Sequence, residues 1–152
     1  MKNDVVQVEI RGLLPVNNGC AIFVGNDEKV FVIQVDHNVG MVISNFMRSE
    51  TKERPLTHDL LLMILQGLGV TVERVVITEL RNATYYARII LQQENELGRK
   101  LLEVDARPSD SIALAIAQKK PIYVTRRLFD QVEDMSEALT RLSESSSDAE
   151  QA

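Results

Sequence analysis

A chain of 152 residues, 45% of them hydrophobic, supports one packed core and is short for two. Its formal net charge of −5 argues against a protein whose main work is wrapping duplex nucleic acid. Three of those charges, Glu144, Asp148 and Glu150, sit in the last ten residues, so the remainder carries only −2, and its bases fall in scattered pairs such as Arg99-Lys100 and Lys119-Lys120. The apolar runs 60–65 and 112–117 are far too short to span a bilayer, and the N-terminus lacks the apolar stretch of a secretory signal. The expectation is a cytoplasmic protein without membrane contact. Cys20 is the sole cysteine and lies in an apolar stretch, which excludes an intrachain disulfide and predicts a buried, inert thiol.

Residues 5–13 alternate, with Val6, Val8 and Ile10 on one side and Gln7, Glu9 and Arg11 on the other, the period of a half-buried strand. Asn17-Asn18-Gly19 and Gly25-Asn26-Asp27 then turn the chain into strands over 20–24 and 30–35, giving a three-stranded meander. Val39, Val42, Ile43, Phe46 and Met47 recur at helical spacing within 37–48, with Asn38 available as the N-cap. After a charged connector, Leu61, Ile64, Leu65 and Leu68 mark a second helix with Thr57 as N-cap and Gly67 or Gly69 as stop. Residues 70–80 and 84–92 form a hairpin about Arg81-Asn82-Ala83, and 100–104 is a further strand. The helix after Pro108 is small and apolar nearly all round, and is predicted to be the most buried. Lys119-Lys120-Pro121 ends it, 122–124 is a short strand, and 126–131 and 135–142 form two weaker helices. The serine-rich, acidic segment 143–152 reads as a disordered tail after a domain spanning 1–142. Strands in a block, then helices interrupting later strands, predict a single α+β domain with a largely antiparallel or mixed sheet and three main helices. No glycine-rich phosphate loop follows any strand, which argues against a nucleotide-cofactor enzyme.

One polar phrase occurs twice: Arg54-Pro55-Leu56-Thr57-His58-Asp59-Leu60 and Val104-Asp105-Ala106-Arg107-Pro108-Ser109-Asp110-Ser111-Ile112. Each leads into a helix, where unpaired N–H groups gather. Asp59 and Asp110 suit a first helical turn, worth about 0.3–1 kcal/mol each; brought together, they could instead hold a divalent cation. His58 suits a general base, a metal ligand or a capping-turn residue, whereas His37 reads as a surface loop residue. Arg54 and Arg107 could grip phosphate in two-pronged fashion, or cross-brace the two helix starts, Arg54 to Asp110 and Arg107 to Asp59. Ser109 and Ser111 lack the strand-turn-helix elbow of a serine hydrolase. Tyr85 and Tyr86 place one ring on each face of the hairpin, one for the core and one free to stack on a base.

These two phrases, with Leu68-Gly69 and Thr84-Tyr85-Tyr86-Ala87, resemble the bifunctional nuclease family, small bacterial and plant domains associated with RNase and DNase activity; the similarity covers roughly 5–124. The resemblance implies phosphodiester hydrolysis on RNA or DNA with a divalent cation such as Mg²⁺ or Mn²⁺. In that reading Asp59, Asp105 and Asp110 position metal or water, His58, Asp59 and Asp110 are catalytic, and Arg54 and Arg107 bind substrate. It also implies a homo-oligomer, a dimer by preference, for which the apolar strand 30–35 offers an edge. One departure stands out. Such domains open their first helix with a Glu-Ala pair, where this chain has Val39-Gly40, so that an acid is missing unless Asp36 or His37 replaces it. The competing reading is a non-catalytic interaction or oligomerisation module that keeps the fold.

Overall fold

The computed structural model describes residues 4–151. Strands β1 (Val5–Val16), β2 (Gly19–Gly25) and β3 (Val30–Val35) form the antiparallel meander, followed by α1 (His37–Met47) and α2 (Thr57–Gly67). Then come β4 (Val70–Arg81), β5 (Thr84–Asn95), β6 (Gly98–Ala106), α3 (Pro108–Ala117), β7 (Ile122–Thr125), α4 (Arg126–Gln131) and α5 (Ser136–Gln151). The seven strands make one sheet in the order β3-β2-β1-β7-β4-β5-β6, antiparallel except where β7 runs parallel to β4. The α+β class with a mixed sheet is therefore as the sequence predicts. No described helix is long and apolar enough to cross a membrane.

The sheet is strongly curled. Irregularities in register interrupt β1 at Ile10/Gly12 and β4 at Val72/Arg74 and Ile77/Glu79, and such bulges bend and twist a strand. β5 thereby returns toward β3, five positions away in strand order: the Tyr85 ring packs beside Phe31 at 6.0 Å, and its hydroxyl donates to the Val32 carbonyl at 3.4 Å. α3 lies inside this curl. Seven of its ten residues are buried, including Ile112, Ala113, Leu114 and Ala115, so small side chains all round are what a helix embraced by a sheet requires. Each fully buried Ile or Leu there stabilises by about 1.5–3 kcal/mol. A second apolar cluster on the opposite face joins Ala21, Phe23 and Val30 to Met135, Leu139 and Leu142 of the C-terminal segment, which is why β2 is buried on both faces.

Several local expectations are corrected. α1 is capped by Asp36, not Asn38: its Oδ1 accepts the Val39 N–H at 3.0 Å. Thr57 is already helical, and the cap position is Leu56, whose backbone N–H donates to Asp59 Oδ2 at 2.9 Å. α2 fulfils its periodicity but buries none of its residues fully; Leu62 and Leu65 lean on the core while Leu61, Ile64 and Leu68 are exposed. The segment expected to be a disordered tail continues α5 to Gln151. No glycine or proline interrupts it, and Ser143, Ser145, Ser146 and Ser147 bond back to carbonyls three or four residues earlier. Residue 152 of that expectation lies outside the described residues.

Candidate active site

Three helix starts converge at one corner of the fold. α3 begins with Pro108, whose fixed φ suits the first helical position, and Arg107 before it is extended at φ −68°, ψ 145°. This geometry folds the Arg107 guanidinium back over the first turn, where Nε donates to Asp110 Oδ2 at 2.8 Å and Nη2 to Oδ1 at 3.3 Å. From the first turn of α2, 52 residues away, His58 Nε2 reaches Asp110 Oδ1 at 2.9 Å. From the start of α1, Asp36 Oδ2 lies 3.5 Å from Arg107 Nη1. The result is a chain His58–Asp110–Arg107–Asp36 that ties the three helices together.

Burial alone would raise the Asp110 carboxyl, but hydrogen bonds from Arg107 and His58 outweigh it and hold its pKa below the ordinary value. The carboxylate is therefore ionised near neutrality and accepts only. It follows that His58 Nε2 donates in this hydrogen bond. Asp110 in turn keeps the Arg107 guanidinium firmly charged. Exposure is graded along the chain: the His58 side chain is 15% exposed, Asp110 31% and Arg107 63%. Imidazole and carboxylate are sheltered while the guanidinium faces outward. Beside it a cleft of about 340 Å³ is lined by Val35, Asp36, Tyr85, Arg107 and Ser109. The larger cleft, about 720 Å³ between Phe46, Lys119 and Tyr123, lies at the other end of α3, away from this chemistry.

Asp59 belongs to a separate pair. Its two oxygens accept from Lys52 Nζ at 3.0 and 2.8 Å, and Lys52 sits 4.4 Å above the Phe46 ring. Burial works against its charge, yet Lys52 and the Leu56 N–H more than offset this and its pKa also falls below the ordinary value. The cross-brace expected between the two arginine-proline phrases does not form. Arg107 pairs within its own helix and with Asp36, and Arg54 is exposed without an ion pair among the described residues. It is His58 that joins the two phrases. Asp105 stands on β6 opposite Arg88, without a side-chain hydrogen bond or ion pair among the described residues. Ser109 and Ser111 are buried, and the Ser111 hydroxyl donates to the Arg107 carbonyl at 2.9 Å.

A profile of the bifunctional nuclease domain matches residues 22–137. The chain belongs to the bifunctional nuclease domain family. Two uncharacterized proteins of Mycobacterium tuberculosis are each 31% identical over 106 residues, 70% of this chain and 60% of theirs. Bifunctional nuclease 1 of Oryza sativa is 34% identical over 76 residues, 49% of this chain and 22% of its own length. The chain thus spans less than two thirds of these relatives.

Against the bifunctional nuclease pattern, the Val39-Gly40 departure has a structural explanation. Val39 is 6% exposed and points into the core, so an acid there would be buried. A Cβ at Gly40 would lie 2.6 Å from Cys20 Cβ, closer than real contacts allow, so α1 rests directly on β2. Asp36 supplies an acid at this corner, and His37 is exposed. Sequence reasoning passed over Lys52 altogether and gave Asp36 only a secondary place, although Asp36 stands three residues before Val39, the spacing at which a cap reaches a backbone N–H.

Proposed function

We propose that the domain is a nuclease that cleaves phosphodiester bonds of RNA or DNA at the His58–Asp110–Arg107 cluster. The observation that carries this reading is the sheltered imidazole, oriented by an ionised carboxylate, adjoining an outward-facing arginine beside an open cleft. His58 Nδ1 would take the proton of the attacking water, or of a ribose 2′-hydroxyl. Asp110 would orient the ring and stabilise the imidazolium, which then returns its proton to the departing oxygen. Arg107 would bind the phosphate and the charge that grows on it. The Oryza sativa relative's name supports the activity class, and its short overlap leaves substrate choice to experiment.

The residues present do not fit a preformed divalent-cation site. The oxygens of Asp59 are taken by Lys52 and the Leu56 N–H, those of Asp110 by Arg107 and His58, and no group of three His, Cys, Asp or Glu side chains able to hold a metal occurs among the described residues. The test is incubation with single-stranded RNA and DNA in Mg²⁺, Mn²⁺ or chelator. Cleavage that persists in chelator supports the acid–base site, and cleavage that requires metal contradicts it.

A second reading has an observation of its own. Asp36, Asp110 and Arg107 already satisfy one another, as a structural brace between helix starts would. Absence of cleavage under every condition would favour this interaction module.

A further inference from the structure

We propose that the cleft at the C-terminal end of α3 binds a nucleoside monophosphate, with Lys119 and Lys120 on the phosphate and Phe46 and Tyr123 lining the place of the base, at a site separate from the Arg107 corner. The cleft follows from unequal strand lengths. β7 has four residues and stands between β1 and β4, which have twelve each. β1 pairs with β7 only from Val5 to Val8, where the partner is Ile122, and then runs on through Glu9 and Ile10 past the start of the shorter strand. The notch this leaves is walled by the ends of two helices, with Phe46, Met47 and Ser49 from the end of α1 and Ile116 and Lys119 from the end of α3. Its volume of about 720 Å³ falls within the range of small-molecule sites, roughly 300–1,000 Å³.

Both helices end at this cleft in the same uncommon way. Ser49 and Lys119 have positive φ, 52° and 55°, and each stands just past a helix at the position where glycine is usual. After α3 the turn is closed by the Lys119 N–H donating to the Ile116 carbonyl at 3.1 Å and the Lys120 N–H to the Ala115 carbonyl at 2.8 Å. These bonds occupy carbonyls that would otherwise repel an anion. A long side chain in the left-handed conformation is strained relative to glycine, and strain of this kind collects at functional positions. Keeping a lysine there retains its charge at the cleft.

Charge and shape select the ligand. Lys119 and Lys120 are exposed at the cleft and form no ion pair or side-chain hydrogen bond among the described residues. The acid on the wall, Glu9, is taken by Arg11 at 2.9 Å. Two unanswered ammonium groups on adjacent residues suit a dianion, and a phosphate monoester carries about 1.5–2 negative charges at neutral pH. Further in, Phe46 and Ile116 pack against the core without being buried, and Tyr123 is half-buried, its hydroxyl without a hydrogen bond among the described residues. A flat base fits against aromatic walls, and such stacking tolerates any base. A dianion joined to a flat ring is a nucleoside monophosphate; inorganic phosphate lacks the ring and a nucleoside lacks the charge.

The test is titration of the full chain with adenosine 5′-monophosphate, followed by backbone amide shifts in solution NMR, beside adenosine, inorganic phosphate and a 5′-phosphorylated tetranucleotide. Amides within 46–49 and 119–123 should shift with the mononucleotide and saturate, and adenosine or phosphate alone should bind there about tenfold or more weakly. Lys119→Gly combined with Lys120→Gln should weaken mononucleotide binding by about tenfold or more. Its melting temperature should be unchanged or raised, because glycine suits the left-handed turn. Arg107→Ala, at the other end of α3, should leave these shifts and their midpoint as in wild type, so that loss of the nuclease site and loss of this one are separable. Absence of shifts at these amides overturns the proposal. So does binding that survives the double variant, or that inorganic phosphate matches, which would mark an adventitious ion only. Tighter binding of the tetranucleotide would make a strand end the ligand and also overturns it.

Discussion

Helix starts make the residue-scale logic of this protein, because each leaves backbone donors unpaired and those of α1, α2 and α3 answer with an acid. Asp36 and Asp59 answer by capping, and Asp110 by gathering a histidine and an arginine. This has a pH consequence. Asp59 and Asp110 have folded pKa values below their unfolded values near 3.9. Their stabilising contribution is therefore complete above about pH 4 and is lost as pH falls through the lower, folded pKa. Acid titration of melting temperature should show this limb in wild type, shallower in Asp110→Asn. An unchanged limb would mean that the carboxylate gains nothing from its partners. Gly40 gives a second prediction. Gly40→Ala drives a methyl against Cys20 Cβ and should cost about 1–3 kcal/mol in chemical denaturation, as overpacking does. The roles of Asp59, Asp110 and His58 as polar residues at helix starts were legible from spacing. That His58 would bond across to Asp110, and that Lys52 would claim Asp59, was not, because both contacts depend on how α2 docks.

Among the elements, periodicity located every helix and strand but did not say what each would meet. α2 has the regular stripe Leu61, Ile64, Leu65, Leu68, yet only Leu65 of the four leans on the core. A hydrophobic period reports that a face will be covered, and leaves open whether the cover belongs to the same chain. α3, whose pattern is nearly featureless, is the most buried helix, with seven of its ten residues buried. The β4–β5 turn offers a direct check of local geometry. Asn82 and Ala83 both have positive φ, 51° and 62°, as a two-residue hairpin turn of the favoured hand requires. Asn tolerates this conformation and alanine does not, at a cost of roughly 1–2 kcal/mol. Ala83→Gly should therefore raise stability by about 0.5–1 kcal/mol after the extra freedom of glycine in the unfolded chain is deducted. A destabilised variant would show that the turn relies on the Ala83 methyl.

For the whole molecule, the curl of the sheet is what assembles the Arg107 corner. It brings β3 and the β4–β5 turn to the Arg107 corner and lets the three helix starts converge there. Element order indicates an α+β class, but the bulges at Ile10/Gly12 and in β4 that bend the sheet have no mark in the hydrophobic pattern. Under the proposed function, His58, held by Asp110, performs the chemistry beside Arg107. The most direct measurement is the cleavage rate of His58→Gln beside wild type and Arg54→Ala, all at matched melting temperature. His58→Gln should lose about 10²–10⁴-fold, as removal of a general base gives, with Arg54→Ala near wild type. Full activity in His58→Gln, or a collapse in Arg54→Ala, would contradict the proposed function.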